Sequence, residues 1–281
     1  MTILCLDFMN QCHRARSGFQ MGPAPVVFNF FRQFKSTIDE FKPSRIYVVL
    51  EGRPVNRYEK LAEYKATRKV EKDDPKYEEL QRFFKQKDQI VDLLSTVFPV
   101  SVVRHPTSEC DDTIYNLINC SSTAAPWIVV SNDTDFTQVV QEYPHVKVWN
   151  PIKKKYLEAP EEYDYVTWKA LRGDTSDNIP GIPGIGDKTA EELCMDPGKL
   201  ASFLANPEHA VQFERNYDLI KFMTWSDEDR IEMTSSSPER NWSKVKDLFD
   251  SYGFQSMTKD GTWQKFIATF DHLFGDVIPP S

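Results

Sequence analysis

Trp127-Ile128-Val129-Val130-Ser131-Asn132-Asp133-Thr134-Asp135 joins an apolar, β-branched run to two closely spaced acids. The run reads as a buried strand, so Asp133 and Asp135 leave its carboxyl end. Three other segments read the same way. Residues 3–6 form an apolar strand ending at Asp7, residues 45–50 a strand ending at Glu51-Gly52, and residues 100–103 a strand that precedes Ser108-Glu109-Cys110-Asp111-Asp112. A helix-like stretch with Val27, Phe30, Phe31 and Phe34 follows the first strand. Strands alternating with helical segments predict an α/β fold with a central, mostly parallel sheet covered on both faces. In such sheets ligands gather beyond the carboxyl ends of the strands, which is where these acids converge.

Ser108 followed three residues later by Asp111 resembles a capping box, and Ile114, Leu117 and Ile118 continue at helical spacing. Glu109 and Asp112 then share one helical face, with Asp111 beside them. Carboxylates this dense raise one another's pKa unless a cation sits among them. An all-oxygen set favours a hard divalent ion, Mg²⁺ first. One acid after one strand reads equally as a helix cap, but agreement at four strand ends points to a metal pocket.

The 281 residues can bury one large core, or a core plus a smaller lobe, and 40% hydrophobic with 27% charged residues fits a soluble globular protein. Cys5, Cys12, Cys110, Cys120 and Cys194 have no paired spacing, so they read as reduced thiols and predict a cytoplasmic setting. The amino terminus lacks a signal-peptide pattern, and no run is long enough to span a membrane. The formal charge of −8 argues only weakly against a nucleic-acid partner. Setting aside nine carboxylates assigned to one pocket (Asp7, Glu51, Glu109, Asp111, Asp112, Asp133, Asp135, Asp174 and Asp177) leaves about +1.

Residues 57–87 are highly charged, mixing lysines and arginines with acids and with Tyr58, Tyr64, Tyr77, Phe83 and Phe84. Surface helices with paired charges would account for this stretch in isolation. Directly after Glu51, a basic segment with aromatic faces is suited to gripping phosphates and exposed bases.

Residues 164–172 read as an amphipathic helix. It runs into Gly173-Asp174-Thr175-Ser176-Asp177-Asn178-Ile179-Pro180-Gly181-Ile182-Pro183-Gly184-Ile185-Gly186-Asp187-Lys188-Thr189-Ala190. Its glycines and prolines exclude regular structure through Gly186, and a helix begins near Lys188. Glycine backbone and a helix amino terminus suit phosphate, although a plain tight turn is the alternative. Helices are predicted over 216–225, 242–254 and 263–274. In the last, Gln264, Ile267 and Phe270 have part of the spacing of a sliding-clamp peptide, with an amphipathic core helix as the default. No Ser-His-Asp or Cys-His arrangement is evident.

Together these motifs resemble the 5′ nuclease superfamily: flap endonucleases, the 5′ nuclease domain of bacterial DNA polymerase I, and bacteriophage 5′ exonucleases including phage RNase H. The resemblance runs over about residues 1–225 and is most specific over 173–190, which is similar to the family's helix-hairpin-helix signature. Residues 131–138 and 109–112 look like its Asp-x-Asp and Glu-Ala-Asp-Asp motifs, and Arg57 with residues 63–68 like its arch. This chain has Glu51 where the family usually has Asp. With no polymerase domain, it looks like a stand-alone, phage-like member.

The resemblance implies a Rossmann-like, PIN-like nuclease core over 1–170 with a helical arch at about 53–90. A helix-hairpin-helix lobe over 171–235 and C-terminal helices over 236–281 packing back on the core would complete it. It also implies one metal near Asp7, Glu51, Glu109 and Asp111 and a second near Asp133, Asp135, Asp174 and Asp177. Asp111 would bridge them and Asp112 act through water. Catalytic roles fall to Asp111, Asp133 and Asp135, with Lys65 and Arg68 on the scissile phosphate. DNA contacts are implied at Arg57, Tyr64, Lys65, Arg68, Lys69, Gly181, Gly184, Gly186, Lys188 and Thr189. The implied cofactors are two Mg²⁺ ions, replaceable by Mn²⁺, and K⁺ on the hairpin carbonyls.

The implied activity is structure-specific, metal-dependent hydrolysis at 5′ ends or 5′ flaps of DNA, in replication or repair. Its substrate is branched or nicked duplex with a 5′ single strand, extending to RNA:DNA hybrid. The chain is expected to act as a monomer, with a sliding clamp or single-strand-binding protein as further candidate partners. Two alternatives stay open: a non-catalytic scaffold for branched DNA, and a PIN-type single-strand ribonuclease.

Overall fold

β1 (Ile3–Asp7) is buried at all five positions, as expected of a strand covered on both faces. The computed structural model describes residues 2–20, 22–68, 70–121, 125–236 and 239–275. Asp7 ends β1 and caps α1 (Phe8–Arg16), accepting from the Asn10 amide. α2 (Pro25–Phe41) starts on a proline, whose fixed φ suits a first helical turn, and turns Val27, Phe30, Phe31, Phe34 and Ile38 inward. β2 (Arg45–Val49) runs parallel to β1, with Leu4 opposite Ile46 and Leu6 opposite Val48.

After β2 come α3 (Val55–Lys60), a 3₁₀ turn (Ala66–Arg68) and α4 (Tyr77–Thr96). β3 (Ser101–Arg104), α5 (Cys110–Asn119), β4 (Trp127–Val130), α6 (Thr137–Glu142), β5 (Val146–Asn150) and β6 (Lys155–Tyr156) complete most of the sheet. α7 (Tyr165–Arg172) leads into a two-residue ladder of β7 (Gly173–Asp174) and β8 (Ile179–Pro180). α8 (Asp187–Met195), α9 (Pro197–Leu204), α10 (Pro207–Ile220) and α11 (Asp227–Ile231) follow. β9 (Thr234–Ser235), α12 (Trp242–Ser251), α13 (Gln255–Thr258) and α14 (Asp260–Asp271) close the chain.

The sheet order is β6-β5-β4-β1-β2-β3-β9. The five inner strands are parallel, and β6 and β9 are antiparallel edges. One half of the sheet grows from β1 through β2 to β3, and the other from β1 through β4 to β5. That switch point opens a crevice at the carboxyl ends of β1 and β4 and brings Asp7 beside the acids after Val130. One face is filled by α1, α2, α4 and the C-terminal helices, around Phe31, Phe98, Phe249, Phe266 and Phe270. The other carries α5 and α6, with Ile114, Phe136 and Phe222 buried.

Several expectations change. Ser108 is not a cap: α5 begins at Cys110 with Glu109 at its N-cap, and the Glu109 carboxylate is drawn away to cations instead of to its own helix. α4 is a core helix, burying Phe83, Ile90, Leu93 and Leu94, so the expected arch shrinks to a strap before Tyr77. Helix 216–225 is shifted: α10 starts at Pro207 behind an Asn206 cap and ends at Ile220, while Phe222 and Trp225 are buried beyond it. Phe270 is fully buried against Phe34 and Phe98, which removes the clamp-peptide reading. α1 was not anticipated, although Phe8, Gln11, Cys12 and Ala15 have helical spacing; two of the four are too weakly apolar to signal it. All five cysteines are free, and among the described residues no helix is long and apolar enough to cross a membrane.

Candidate metal centre

A cavity of about 1160 Å³ opens at the carboxyl ends of β1, β2 and β4. Asp7, Glu51, Glu109, Asp111, Asp133, Asp135, Asp174 and Asp177 line it, eight of the nine carboxylates expected there. The loops carrying Glu51 and Glu109 touch at Gly52, whose amide donates to the Ser108 carbonyl at 3.0 Å. A Cβ at Gly52 would lie 2.0 Å from the His105 carbonyl oxygen, so only glycine allows this approach. The longer side chain of Glu51 reaches the first turn of α5, 3.4 Å from the Cys110 amide.

Asp112, the ninth acid, faces elsewhere. Successive helical residues point about 100° apart, so Asp111 meets the cavity while Asp112 turns into the core. There it accepts from both terminal nitrogens of Arg57 and from the Met223 amide at 2.9 Å. Arg57 is 4% exposed, donates to the Leu219 carbonyl at 2.8 Å and lies 3.2 Å from Glu109. The expected metal role of Asp112 and the expected DNA contact of Arg57 therefore give way to a buried ion pair joining α3, α5 and α10.

The acids divide into two electrostatic groups. Among the described residues Asp7, Glu51, Asp111 and Asp133 make no ion pair. Burial, reinforced by Asp133, Asp7 and Glu51, pushes Asp111 well above the usual carboxylate range. Asp7 also rises through burial, although the Asn10 amide and the Ser131 hydroxyl hold its oxygens at 3.1 and 2.8 Å. Asp133 is exposed as a residue, but desolvation of its carboxyl, followed by Asp135, pushes it up to about 6. Glu51 lines the cavity and is exposed as a residue, but desolvation of its carboxyl by the surrounding protein, followed by Glu109, pushes it up to about 7.

Cations meet the remaining acids. Lys169, 5% exposed on α7, pairs with Asp135 and lies 2.7 Å from Asp174. Burial alone would raise Asp174, but Lys169 and the Ser176 hydrogen bonds hold it down at about 2. Glu109 is likewise lowered against its burial by Lys65 and Arg57. The Lys65 ammonium is 2.5 Å from Glu109, and the Arg68 guanidinium is 2.5 Å from Asp177. Ligand oxygens of Asp135, Asp174 and Asp177 lie within 4.8 Å of one another, a spacing suited to one metal ion.

Lys65 and Arg68 reach the cavity on a strap that crosses its rim. The Lys65 amide donates to the Asp177 carbonyl at 3.0 Å, and the Asn178 side chain to the Glu63 carbonyl at 2.8 Å. Lys65 adopts φ 53, a left-handed conformation that costs a non-glycine residue energy and is held by these neighbours. Tyr64 is 2% exposed, and its hydroxyl donates to Glu109 at 2.9 Å and Asp177 at 3.1 Å. Its ring is therefore not available to stack on a base, contrary to expectation. Lys69 lies outside the described residues.

In the hairpin, Gly173 and Gly181 pack backbone to backbone: a Cβ at Gly181 would sit 2.1 Å from the Arg172 carbonyl oxygen. Gly181 thus serves close packing, not an approaching phosphate. Gly184, at φ +82, and Gly186, the N-cap of α8, have open space where a side chain would be, with Lys188 and Thr189 exposed in the first turn. The β7–β8 ladder is regular structure that the glycine and proline content had excluded.

Lys169, Tyr165 and Ser131 escaped the sequence reading. Lys169 belongs to the buried stripe Tyr165, Val166, Lys169, Ala170, and a lysine within such a stripe demands a partner, which was the available signal. Ser131 has no comparable signal. Its hydroxyl donates to Asp7 and accepts from the Asp133 amide at 3.1 Å, tying β1 to the acid loop.

Two family descriptions match in succession: "5′-3′ exonuclease, N-terminal resolvase-like domain" over residues 6–169 and "5′-3′ exonuclease, C-terminal SAM fold" over 160–224. The chain is 31% identical to a 5′-3′ exonuclease of Mycobacterium tuberculosis over 211 residues, covering 65% of this chain and 64% of that protein. It is 30% identical over 192 residues to the thermostable DNA polymerase I of Thermus filiformis, covering 66% of this chain and 22% of the polymerase. The chain thus spans under two thirds of the length of either relative. Its fold is similar to that of the bacteriophage T5 flap endonuclease, solved as a pseudo-enzyme-product complex with DNA and metal ions. That likeness has a TM-score of 0.65 at 18% identity and covers 78% of this chain and 89% of the phage protein.

Proposed function

We infer the activity from one premise: the chain belongs to the 5′-3′ exonuclease family. It is a divalent-metal-dependent phosphodiesterase that cuts DNA at 5′ ends or 5′ flaps, with Mg²⁺ the physiological ion. The observation that carries this reading is the convergence of eight carboxylates on one crevice, four of them making no ion pair among the described residues. Such a donor set fits hard divalent ions, because deprotonating it is unfavourable until positive charge arrives.

Asp7, Glu51, Asp111 and Asp133 would hold one ion, and Asp135, Asp174 and Asp177 another. When bound, such ions supply Lewis acidity that lowers the pKa of a water and offsets charge on the phosphate. Lys65 and Arg68 overhang the same cavity and would meet the non-bridging phosphate oxygens, where preorganised charge favours the transition state. Gly184, Gly186, Lys188 and Thr189 offer open backbone and a helix amino terminus to the duplex backbone. Contacts of this kind read shape and phosphate more than bases, so sequence preference should be slight.

The test is digestion of a 5′-flap duplex labelled separately at each end, alongside single-stranded RNA and RNA:DNA hybrid. Mg²⁺-dependent release of short 5′ products, lost with EDTA, is the expected result. Binding without cleavage, or cleavage confined to single-stranded RNA, overturns it.

A further inference from the structure

Lys169 lines the crevice and takes two of the three carboxylates that, among the described residues, are spaced to share one ion. It pairs with Asp135 and stands 2.7 Å from Asp174, while Asp177 takes Arg68. The lysine is 5% exposed, so its charge is neutralised by these acids and not by water. A divalent ion bound to the same oxygens would sit about 2.1 Å from each, too close to the ammonium for both cations to be held at once. On the other side of the cavity, no cation pairs with Asp7, Glu51, Asp111 or Asp133 among the described residues.

We propose that Lys169 is a resident counter-cation for the Asp135–Asp174–Asp177 side, and that a divalent ion enters that side only by exchange with it. This rests on the two-ion reading above and deepens it: the two ions load unequally, and Lys169 sets the difference. Its stem rises from α7 beside Tyr165, whose ring centroid is 5.9 Å from Nζ and whose hydroxyl already holds Asp135 at 2.9 Å. Lys169 thus acts through the carboxylates as a positioning residue, holding them together and oriented until the ion arrives.

The experiment is Mn²⁺ binding to the full chain, followed by calorimetry and by the EPR signal of free Mn²⁺, for wild type, Lys169→Met and Lys169→Arg. Wild type should show a tighter and a weaker class of site. Lys169→Met should tighten the weaker class by about tenfold or more, leaving the tighter one in place, whereas Lys169→Arg, which keeps the charge, should leave the weaker class weak. A melting scan without metal checks folding, and Mn²⁺ should raise the Tm of Lys169→Met by more than that of wild type. Two classes that do not change in Lys169→Met overturn the exchange while sparing the two-ion reading. A single class in both proteins removes the two-ion reading and the exchange together. A single class in wild type that becomes two in Lys169→Met supports the exchange.

Discussion

On the β1–β4 side of the crevice, Asp7, Glu51 and Asp133 accept from amides or a hydroxyl, and none of them, nor Asp111, makes an ion pair among the described residues. On the α7 and strap side, Asp135, Asp174, Asp177 and Glu109 each meet a lysine or arginine. The same residue type, at similar density, ends in opposite protonation tendencies: Asp133 is driven up to about 6 while Asp174 is held at about 2. The difference arises from what each element can deliver. Strand ends supply backbone and short side chains close to the sheet, whereas α7 and the strap supply long cationic side chains from outside it. One side therefore stores unrelieved repulsion that ion binding would release, and the other has already spent most of it on internal pairs.

The hardest blow to this contrast is Asp111→Asn. Burial and the neighbouring Asp133, Asp7 and Glu51 push Asp111 well above the usual carboxylate range, so its loss should lower Mg²⁺-dependent cleavage on the order of 10³-fold, in the range of lost electrostatic stabilisation. Binding of branched DNA should persist. Near-normal cleavage would mean that the uncompensated side is not where the chemistry is organised.

Its neighbour sharpens the comparison. Asp112→Asn leaves Arg57 buried with a weakened partner and should cost about 3 kcal/mol, or roughly 6–12 °C in Tm. The affinity of the folded protein for Mn²⁺ should be unchanged. A loss of metal affinity with little loss of stability would return Asp112 to the ion site.

The smallest effect is on pH dependence. Asp7, Glu51, Asp111 and Asp133 keep protons in the folded protein that the unfolded chain has lost above pH of about 4. With more protons bound when folded, metal-free stability falls as pH rises from about 4 to 7. Asp174 does not oppose this, because its contribution is present above its unfolded pKa and is lost only as pH falls toward about 2. Melting in EDTA should drop by a few degrees across that window, and saturating Mg²⁺ should flatten the slope. A metal-free Tm that climbs through the window would contradict the division of the acids.

Much of the crevice was legible residue by residue. The strands at Asp7, Glu51 and Asp133 are short apolar runs whose ends are local features, and their order already implied a parallel sheet with acids on one rim. Asp112, Arg57 and Tyr64 were misassigned although each belongs to the right segment: Asp112 and Arg57 pair with each other, and Tyr64 lines the cavity with its hydroxyl already bonded to Glu109 and Asp177. Helix phase turned Asp112 into the core, and tertiary packing buried Arg57 against Asp112 and Tyr64 against Glu109. Gly181 was misassigned because a glycine needed for close packing looks the same in sequence as one left open for a ligand.

By itself the sequence determined that carboxylates would gather at the strand ends, because the two-residue period of buried strands and the punctuation after them depend on neighbours in the chain. Only the tertiary structure decided which carboxylates stand alone and which are matched with Lys65, Arg68 or Lys169. Those pairings join residues between five and more than a hundred positions apart. They depend on where α7 and the strap come to rest, and a charge is stabilised by what surrounds it in space.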